Sequence, residues 1–372
     1  MSLLPTTMVG SYPRPAWFTH QLAGKDILEA FKLTSHSEAF HDATRVAIKD
    51  QDDAGLDLLT DGQMWFDDYH MGIGSFLWYW LERTHGFSSE KLPHPARGKA
   101  KGRDIWALDE AGGVAVDGEI KRGPVRMALL YRWAQHHTRK PIKACIGAGP
   151  VQLSTLAHFR GGPVKNRSDL SRALAEIFRA EIAEVIEAGC QHVQLEDLGA
   201  WMPHLTGAKD YDWVCETVDR TFGETPPGVE RAWHFCMGNA WGNQMEGLTA
   251  GGYREILPHY HGVKVDAYVL DFACREMEDA DLLRALPDDK RVHAGVIDVR
   301  TLEIEHPEQV ADRVRKVLAH IEPERVTLTT DCGLKQLPRP VALEKLRALA
   351  EGAAIMRREL RDSTLAGGRG RR

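Results

Sequence analysis

The stretch SDLSRALAEIFRAEIAEVIEAGCQHVQLEDL, residues 168–198, sets the reading of this chain. Leu170, Leu174, Ile177, Ile182, Val185 and Ile186 recur close to the helical period, which predicts a helix with one apolar face. Ser168 is a candidate N-cap, because its hydroxyl can accept from an unpaired first-turn amide. Gly189 is a candidate C′ residue, where left-handed backbone carries no Cβ penalty. Immediately after it, HVQLEDL is short, β-prone and closed by acidic residues. A helix feeding a short strand is the repeating unit of an α/β protein.

Seven further runs of the same kind lie on either side: TTMVGS (6–11), LDLLTDG (56–62), IKACIGAG (142–149), AWHFCMG (232–238), AYVLDFA (267–273), VHAGVID (292–298) and VTLTTDCG (326–333). With 192–198 they make eight, and most are followed by helical patterns. Strands alternating with helices imply a parallel sheet, and eight such units imply one (β/α)8 TIM barrel over residues 1–362. A doubly wound open sheet has the same alternation.

Residues 64–140 break the rhythm. They are expected to be an insertion over the barrel mouth, with a hairpin at GGVAVDGEIKRGPV (112–125). The aromatic residues Trp65, Phe66, Tyr69, Phe76, Trp78, Tyr79 and Trp80 read first as the packed core of that insertion, and second as an apolar substrate wall. Leu343, Leu346, Leu349 and Ile355 predict a helix over 340–360, and residues 363–372 are expected to form a flexible tail.

The 372 residues are 43% hydrophobic and 27% charged, with a formal charge of −6. That mild acidity argues against binding to nucleic acid or an anionic membrane, both of which reward a basic surface. No apolar run approaches the ~20 residues needed to span a bilayer, and the N-terminus has no signal-peptide pattern, so a cytoplasmic location is expected. Six cysteines spread through a chain of this size read as core residues, ligands or nucleophiles rather than disulfide staples.

Polar residues gather at the C-terminal ends of the strands: Ser11, Asp61 to Gln63, Glu196 and Asp197, His234 and Cys236, Asp271, Asp298 and Arg300, Asp331 and Cys332. Active sites of (β/α)8 barrels form at that face. His234 and Cys236 stand two apart and so share one face of a strand. Converging with Cys332 and Asp271, they would supply one nitrogen, two sulfurs and a replaceable oxygen, a donor set suited to zinc with an exchangeable position. Two thiolates leave zinc a weak Lewis acid towards water but leave a third thiolate nucleophilic, which suits alkyl transfer to sulfur better than hydrolysis. Taken alone, the same residues serve equally as small buried hydrophobes and a hydrogen-bonded core histidine.

The chain resembles the catalytic C-terminal barrel of the cobalamin-independent methionine synthases. The resemblance is carried by TTMVGSYPRP, TDGQ, GAGPVQLS, VQLEDL, HFC, VLDFACRE, GVIDV and TTDCGLK. It implies zinc held by His234, Cys236 and Cys332, with Asp271 standing where the family has a displaceable glutamate one carbon longer. It also implies substrate contacts at Ser11 and Arg14. Where the family grips the homocysteine amine with two carboxylates, this chain has Gln63 at one position and the Glu196–Asp197 pair at the other. Arg300 replaces a histidine suited to proton donation. Catalytic roles are therefore expected for Asp271, Arg300 and Glu196, and substrate contacts for Ser11, Arg14, Gln63, Glu196, Asp197 and Arg300.

The implied activity is methyl transfer from a folate or corrinoid donor, with a corrinoid protein as a candidate partner, to a zinc-bound thiol such as homocysteine. The alternative is an epoxyalkane:coenzyme M-type transferase, in which Arg300 would pair with the acid group of an anionic thiol. A zinc hydrolase fits the thiolate-rich set poorly, and a purely structural site would call for a fourth firm protein ligand.

Overall fold

The computed structural model describes residues 3–18, 25–66, 74–95, 112–205, 207–237 and 251–369. Among them, β1 (Thr84–Phe87), β2 (Val114–Arg122) and β4 (Ala157–Phe159) form a small sheet in the order β1-β2-β4. The main sheet is parallel. It runs β3 (Ala144–Ile146), β5 (His192–Glu196), β6 (Glu230–Phe235), β7 (Ala267–Asp271), β8 (Arg291–Ile297) and β9 (Val326–Thr330), in that spatial order.

Two more of the eight apolar runs flank this sheet through parallel bridges, Thr6 to Leu328 of β9 and Leu59 to Ile142 just before β3. The amides of Asp57 and Leu58 both donate to the Thr6 carbonyl at 3.0 Å. The fold is therefore α/β with a parallel sheet. The strands are short, and their outward residues (Val193, Leu195, Trp233, Phe235, Tyr268, Leu270) belong to the main hydrophobic core. The opposite face carries only a small apolar cluster, Val9, Ala232, Ala267 and Val269. Polar groups fill the rest of it. The buried Lys143 ammonium donates to Met8 O at 2.8 Å and to Gln194 Oε1 at 2.6 Å, because a charge that far from water requires partners.

The helix that opened the sequence reading spans Arg167–Glu187. Its N-cap is Asn166, two residues before the expected Ser168, with the Asn166 side chain accepting from Asp169 N at 2.9 Å. Gly189 follows at φ +103°, the left-handed C′ position expected. Between β7 and β8 the connection is made by 3-10 turns, 273–275 and 280–285, rather than an α-helix.

Two expectations are corrected. Residues 112–125 are not a hairpin: β2 runs unbroken through Asp117-Gly118, pairing antiparallel with β1 and parallel with β4. Gly118 is there for close approach, since a Cβ would stand 3.0 Å from the Gly86 Cα. The C-terminal helix is Arg339–Arg369, so it continues through most of the stretch read as a tail. Extending an established helix costs far less than starting one. No helix among the described residues is long and apolar enough to cross a membrane.

Candidate metal centre

β6 aims His234 and Cys236 to the same side, and Cys332 arrives from the end of β9, two strands beyond β7. One ligand atom from each of the three lies within 4.8 Å of the other two. The sulfurs of Cys236 and Cys332 are 3.3 Å apart. That is far longer than a disulfide bond of about 2.05 Å. It approaches the spacing of about 3.8 Å that two Zn–S bonds of ~2.3 Å subtend at a tetrahedral centre. The donor set, two soft thiols and an imidazole, fits zinc and disfavours magnesium or calcium.

The surroundings tune these groups. A hydrogen bond from Cys236 lowers the Cys332 thiol, against the opposing effect of burial, while the same contact and burial push Cys236 well up. A bound metal would take both sulfurs as thiolates and release the protons they carry. Burial lowers the His234 imidazole, but the Asp271 carboxylate, Cys332 and Glu196 outweigh it and leave a net rise.

Asp271 stands outside the three-residue group. Its Oδ1 lies 3.3 Å from His234 Nε2, and its Oδ2 accepts from Met237 N at 3.0 Å and Arg300 Nη2 at 3.0 Å. The contact sets the Asp271 carboxylate and the His234 ring side by side. Arg300, expected to be available to an anionic substrate, is instead buried between Asp271 and Asp331, with Nη1 at 3.3 Å from Asp331 Oδ2.

Glu196 ends β5 directly beside His234, its register partner on β6. Gln63 Nε2 donates to Glu196 Oε2 at 3.2 Å and Gln194 Nε2 to Oε1 at 3.3 Å. Burial raises its pKa. Gly10 and Gly147 make room for it, since a Cβ on either would stand 2.7 Å from Oε1 or 3.3 Å from Oε2 respectively. Asp61 lies near, its carboxylate accepting from Gln63 N and Trp65 Nε1 at 2.8 Å each, and burial pushes its pKa up to about 6.

Other expected residues fall elsewhere. Asp197 does not face this group. Its carboxylate accepts from Val151 N, Gln152 N and Gly199 N, capping the helix Pro150–Ser154 and the turn after β5. Ser11 sits against Gly333, next to Cys332, and its carbonyl accepts from Leu334 N at 2.7 Å. Arg14 lies over the Phe18 ring at 4.9 Å. Trp65, Trp78, Tyr79 and Trp80 are buried core, with Trp80 stacked on Phe178 at 3.7 Å; Tyr69 lies outside the described residues. Trp201 is buried and its indole donates to Cys236 O at 3.1 Å, which anchors the ligand's backbone.

Sequence reading missed Tyr253, whose hydroxyl donates to Phe235 O at 2.7 Å and accepts from Asp271 N at 2.8 Å. Nothing in its local sequence marks that role.

These features define an α/β protein with a candidate thiol–imidazole metal site and a half-buried carboxylate at the strand ends. Residues 106–354 match the family model described as the catalytic domain of cobalamin-independent synthase. The chain is 30% identical over 366 residues to a methionine synthase of Saccharolobus islandicus strain L.S.2.15, covering 97% of each. It is 29% identical to that of Sulfolobus acidocaldarius over 370 residues, 97% of this chain and 94% of the relative. Among solved structures, the B12-independent methionine synthase from Shewanella sp. W3-18-1, in complex with selenomethionine, superposes with a TM-score of 0.80 at 25% identity, covering 96% of this chain and 99% of that one. A methyltransferase from Methanosarcina mazei shares the fold, at a TM-score of 0.53 and 14% identity over 97% and 95% of the chains. The chain belongs to the cobalamin-independent methionine synthase family.

Proposed function

We propose that this chain is a zinc-dependent methyltransferase that moves a methyl group from a folate or corrinoid donor to the sulfur of homocysteine or a closely related amino thiol. The observation that carries the reading is the convergence of Cys236, Cys332 and His234 within 4.8 Å, with the half-buried Glu196 in register beside His234. The likeness to a methionine synthase solved with selenomethionine supports an amino-acid thioether as product. We also read the parallel sheet as a (β/α)8 barrel, supported by the bonds from Asp57 and Leu58 to Thr6, which link the two outermost runs.

His234, Cys236 and Cys332 would hold the zinc. When bound, it supplies a Lewis acid that lowers the acceptor thiol's pKa into the physiological range. Asp271 stands beside the His234 ring, with Arg300 on its other oxygen. Glu196 offers its carboxylate to the substrate ammonium, with Gln63 and Gln194 orienting its two oxygens. Fixing the amine fixes the sulfur against the donor methyl, which converts an encounter into an in-line displacement. The coenzyme M alternative loses its main support, because the Arg300 charge is already neutralised by two carboxylates.

The test is to incubate zinc-loaded protein with L-homocysteine and either methyltetrahydrofolate or methylcobalamin, and to quantify methionine by mass spectrometry. Methionine formed with either donor is expected. Glu196→Gln should raise the homocysteine KM by about 10- to 100-fold, the loss of one charged hydrogen bond. No product with either donor, and no homocysteine binding by calorimetry, would overturn the reading.

A further inference from the structure

We propose that Lys143 is a positioning residue for the thiol substrate: it fixes the Gln194 amide, and through it the Glu196 carboxylate that meets the substrate ammonium. This deepens the proposed function and rests on that role of Glu196.

Lys143 lies just before β3, two residues from Cys145, so the two side chains share the polar face of the main sheet. Both Lys143 and Gln194 are buried. The Lys143 ammonium donates to Met8 O at 2.8 Å and to Gln194 Oε1 at 2.6 Å. An ammonium has three donors and no acceptor, so only the oxygen of a side-chain amide can face it. The amide nitrogen must then point the other way. There it donates to Val9 O at 2.8 Å and to Glu196 Oε1 at 3.3 Å.

The same two side chains hold the opposite wall of the pocket. Met8 O is bound by Lys143, and Val9 O by Gln194 and, at 3.1 Å, by the Cys145 thiol. The next residue is Gly10, whose missing Cβ leaves room for Glu196 Oε1. On the other oxygen, Gln63 Nε2 donates to Glu196 Oε2 at 3.2 Å and also to Cys145 O at 3.4 Å. Each carboxylate oxygen thus takes one amide proton and keeps acceptor capacity for an ammonium.

Without the Lys143 charge, Gln194 Oε1 would stay buried with its partner gone. An unmet buried acceptor is costly, so the amide would shift, and its hydrogen bond to Glu196 would go with it. The effect should fall on the substrate's amine and not on its sulfur.

The experiment measures, by calorimetry on zinc-loaded full-length protein, the binding of two thiols. One is L-homocysteine. The other is 4-mercaptobutanoate, which has the same chain, carboxylate and thiol but no amine. Wild type should favour homocysteine. Lys143→Met, which keeps most of the side chain and removes its charge, should weaken homocysteine about tenfold and leave 4-mercaptobutanoate unchanged. In a Glu196→Gln background the same substitution should add nothing, since both act on one contact. Should Lys143→Met not fold, Gln194→Met interrupts the same relay and carries the same comparison.

An unchanged preference in Lys143→Met, where Glu196→Gln has lost it, overturns this proposal alone. So does equal weakening of both thiols, the mark of a general packing defect, and so do additive losses in the double variant. A wild-type protein that binds the two thiols equally overturns the Glu196 reading, and this proposal with it.

Discussion

Glu196 and His234 are register partners on the adjacent parallel strands β5 and β6, so a half-buried carboxylate and the imidazole of the candidate metal centre stand side by side. Neighbouring strands lie only about 4.8 Å apart, which sets the distance between a group that can hold an amine and a group that can hold a metal. A short amino thiol, with its two functional groups a few bonds apart, matches that separation. The sheet itself acts as the ruler.

The room around Glu196 depends on a missing side chain. A Cβ on Gly10 would lie 2.7 Å from Glu196 Oε1 and 3.0 Å from Gln63 Oε1. Gly10→Ala should therefore displace the carboxylate and cost about 1–3 kcal/mol of stability, as overpacking does. Homocysteine binding should weaken while zinc content stays at wild-type level. Calorimetry and metal analysis on one preparation separate the two, and unchanged binding would refute the assignment.

Acidity should act on binding and on stability in opposite directions. Burial raises the pKa of Glu196 and lifts that of Asp61 to about 6. Homocysteine affinity should fall as the solution is acidified, as the raised Glu196 carboxylate that attracts its ammonium takes up a proton. For stability, a raised carboxyl keeps its proton longer in the folded state. Its contribution is complete below the ordinary Asp value of 3.8 and is lost as pH rises through about 6. Urea melts from pH 4 to 8 should show that decline in the wild type and a shallower one in Asp61→Asn. Parallel curves for the two proteins would count against it.

Removing one thiol should empty the metal centre without unfolding the chain. Cys332 is only partly buried, so Cys332→Ser changes little packing. Zinc affinity should drop by more than the ~10–100-fold typical of losing a mere supporting partner. Competition with a chromophoric chelator measures this directly. Retention of one tight zinc per chain would show that Cys332 is no ligand.

The aromatic cluster after residue 64 should matter for folding rather than for substrate. Trp80 stacks on Phe178 with ring centroids 3.7 Å apart and is fully buried. Trp80→Ala should cost about 3–5 kcal/mol by denaturant melt, with zinc content unchanged. A stable variant that had lost only its substrate affinity would restore the wall reading.

Much of this was legible before any coordinate. The helix Arg167–Glu187 and its C′ Gly189 follow from local spacing and backbone freedom, which neighbours in sequence decide. The His234–Cys236 pair follows from the strand period. The hairpin at 112–125 misled because Asp-Gly favours a tight turn locally, whereas here β1 and β4 capture the segment on both sides as one strand. Asp197 misled for a similar reason. An acidic residue at a strand end serves a substrate or caps a helix, and only the position of Val151, Gln152 and Gly199 decides which.

By itself, then, the sequence determined the α/β alternation, the family and the candidate metal donors His234, Cys236 and Cys332, because each is written in periodicity or in short motifs. The tertiary structure alone decided what Arg300, Asp271 and Tyr253 do. Their roles arise from contacts across 29, 37 and 18 residues of chain, to Asp271, His234 and Phe235 respectively. Charge and hydrogen-bonding capacity are properties of a residue, but whether they face a substrate or one another is fixed only when the strands come together.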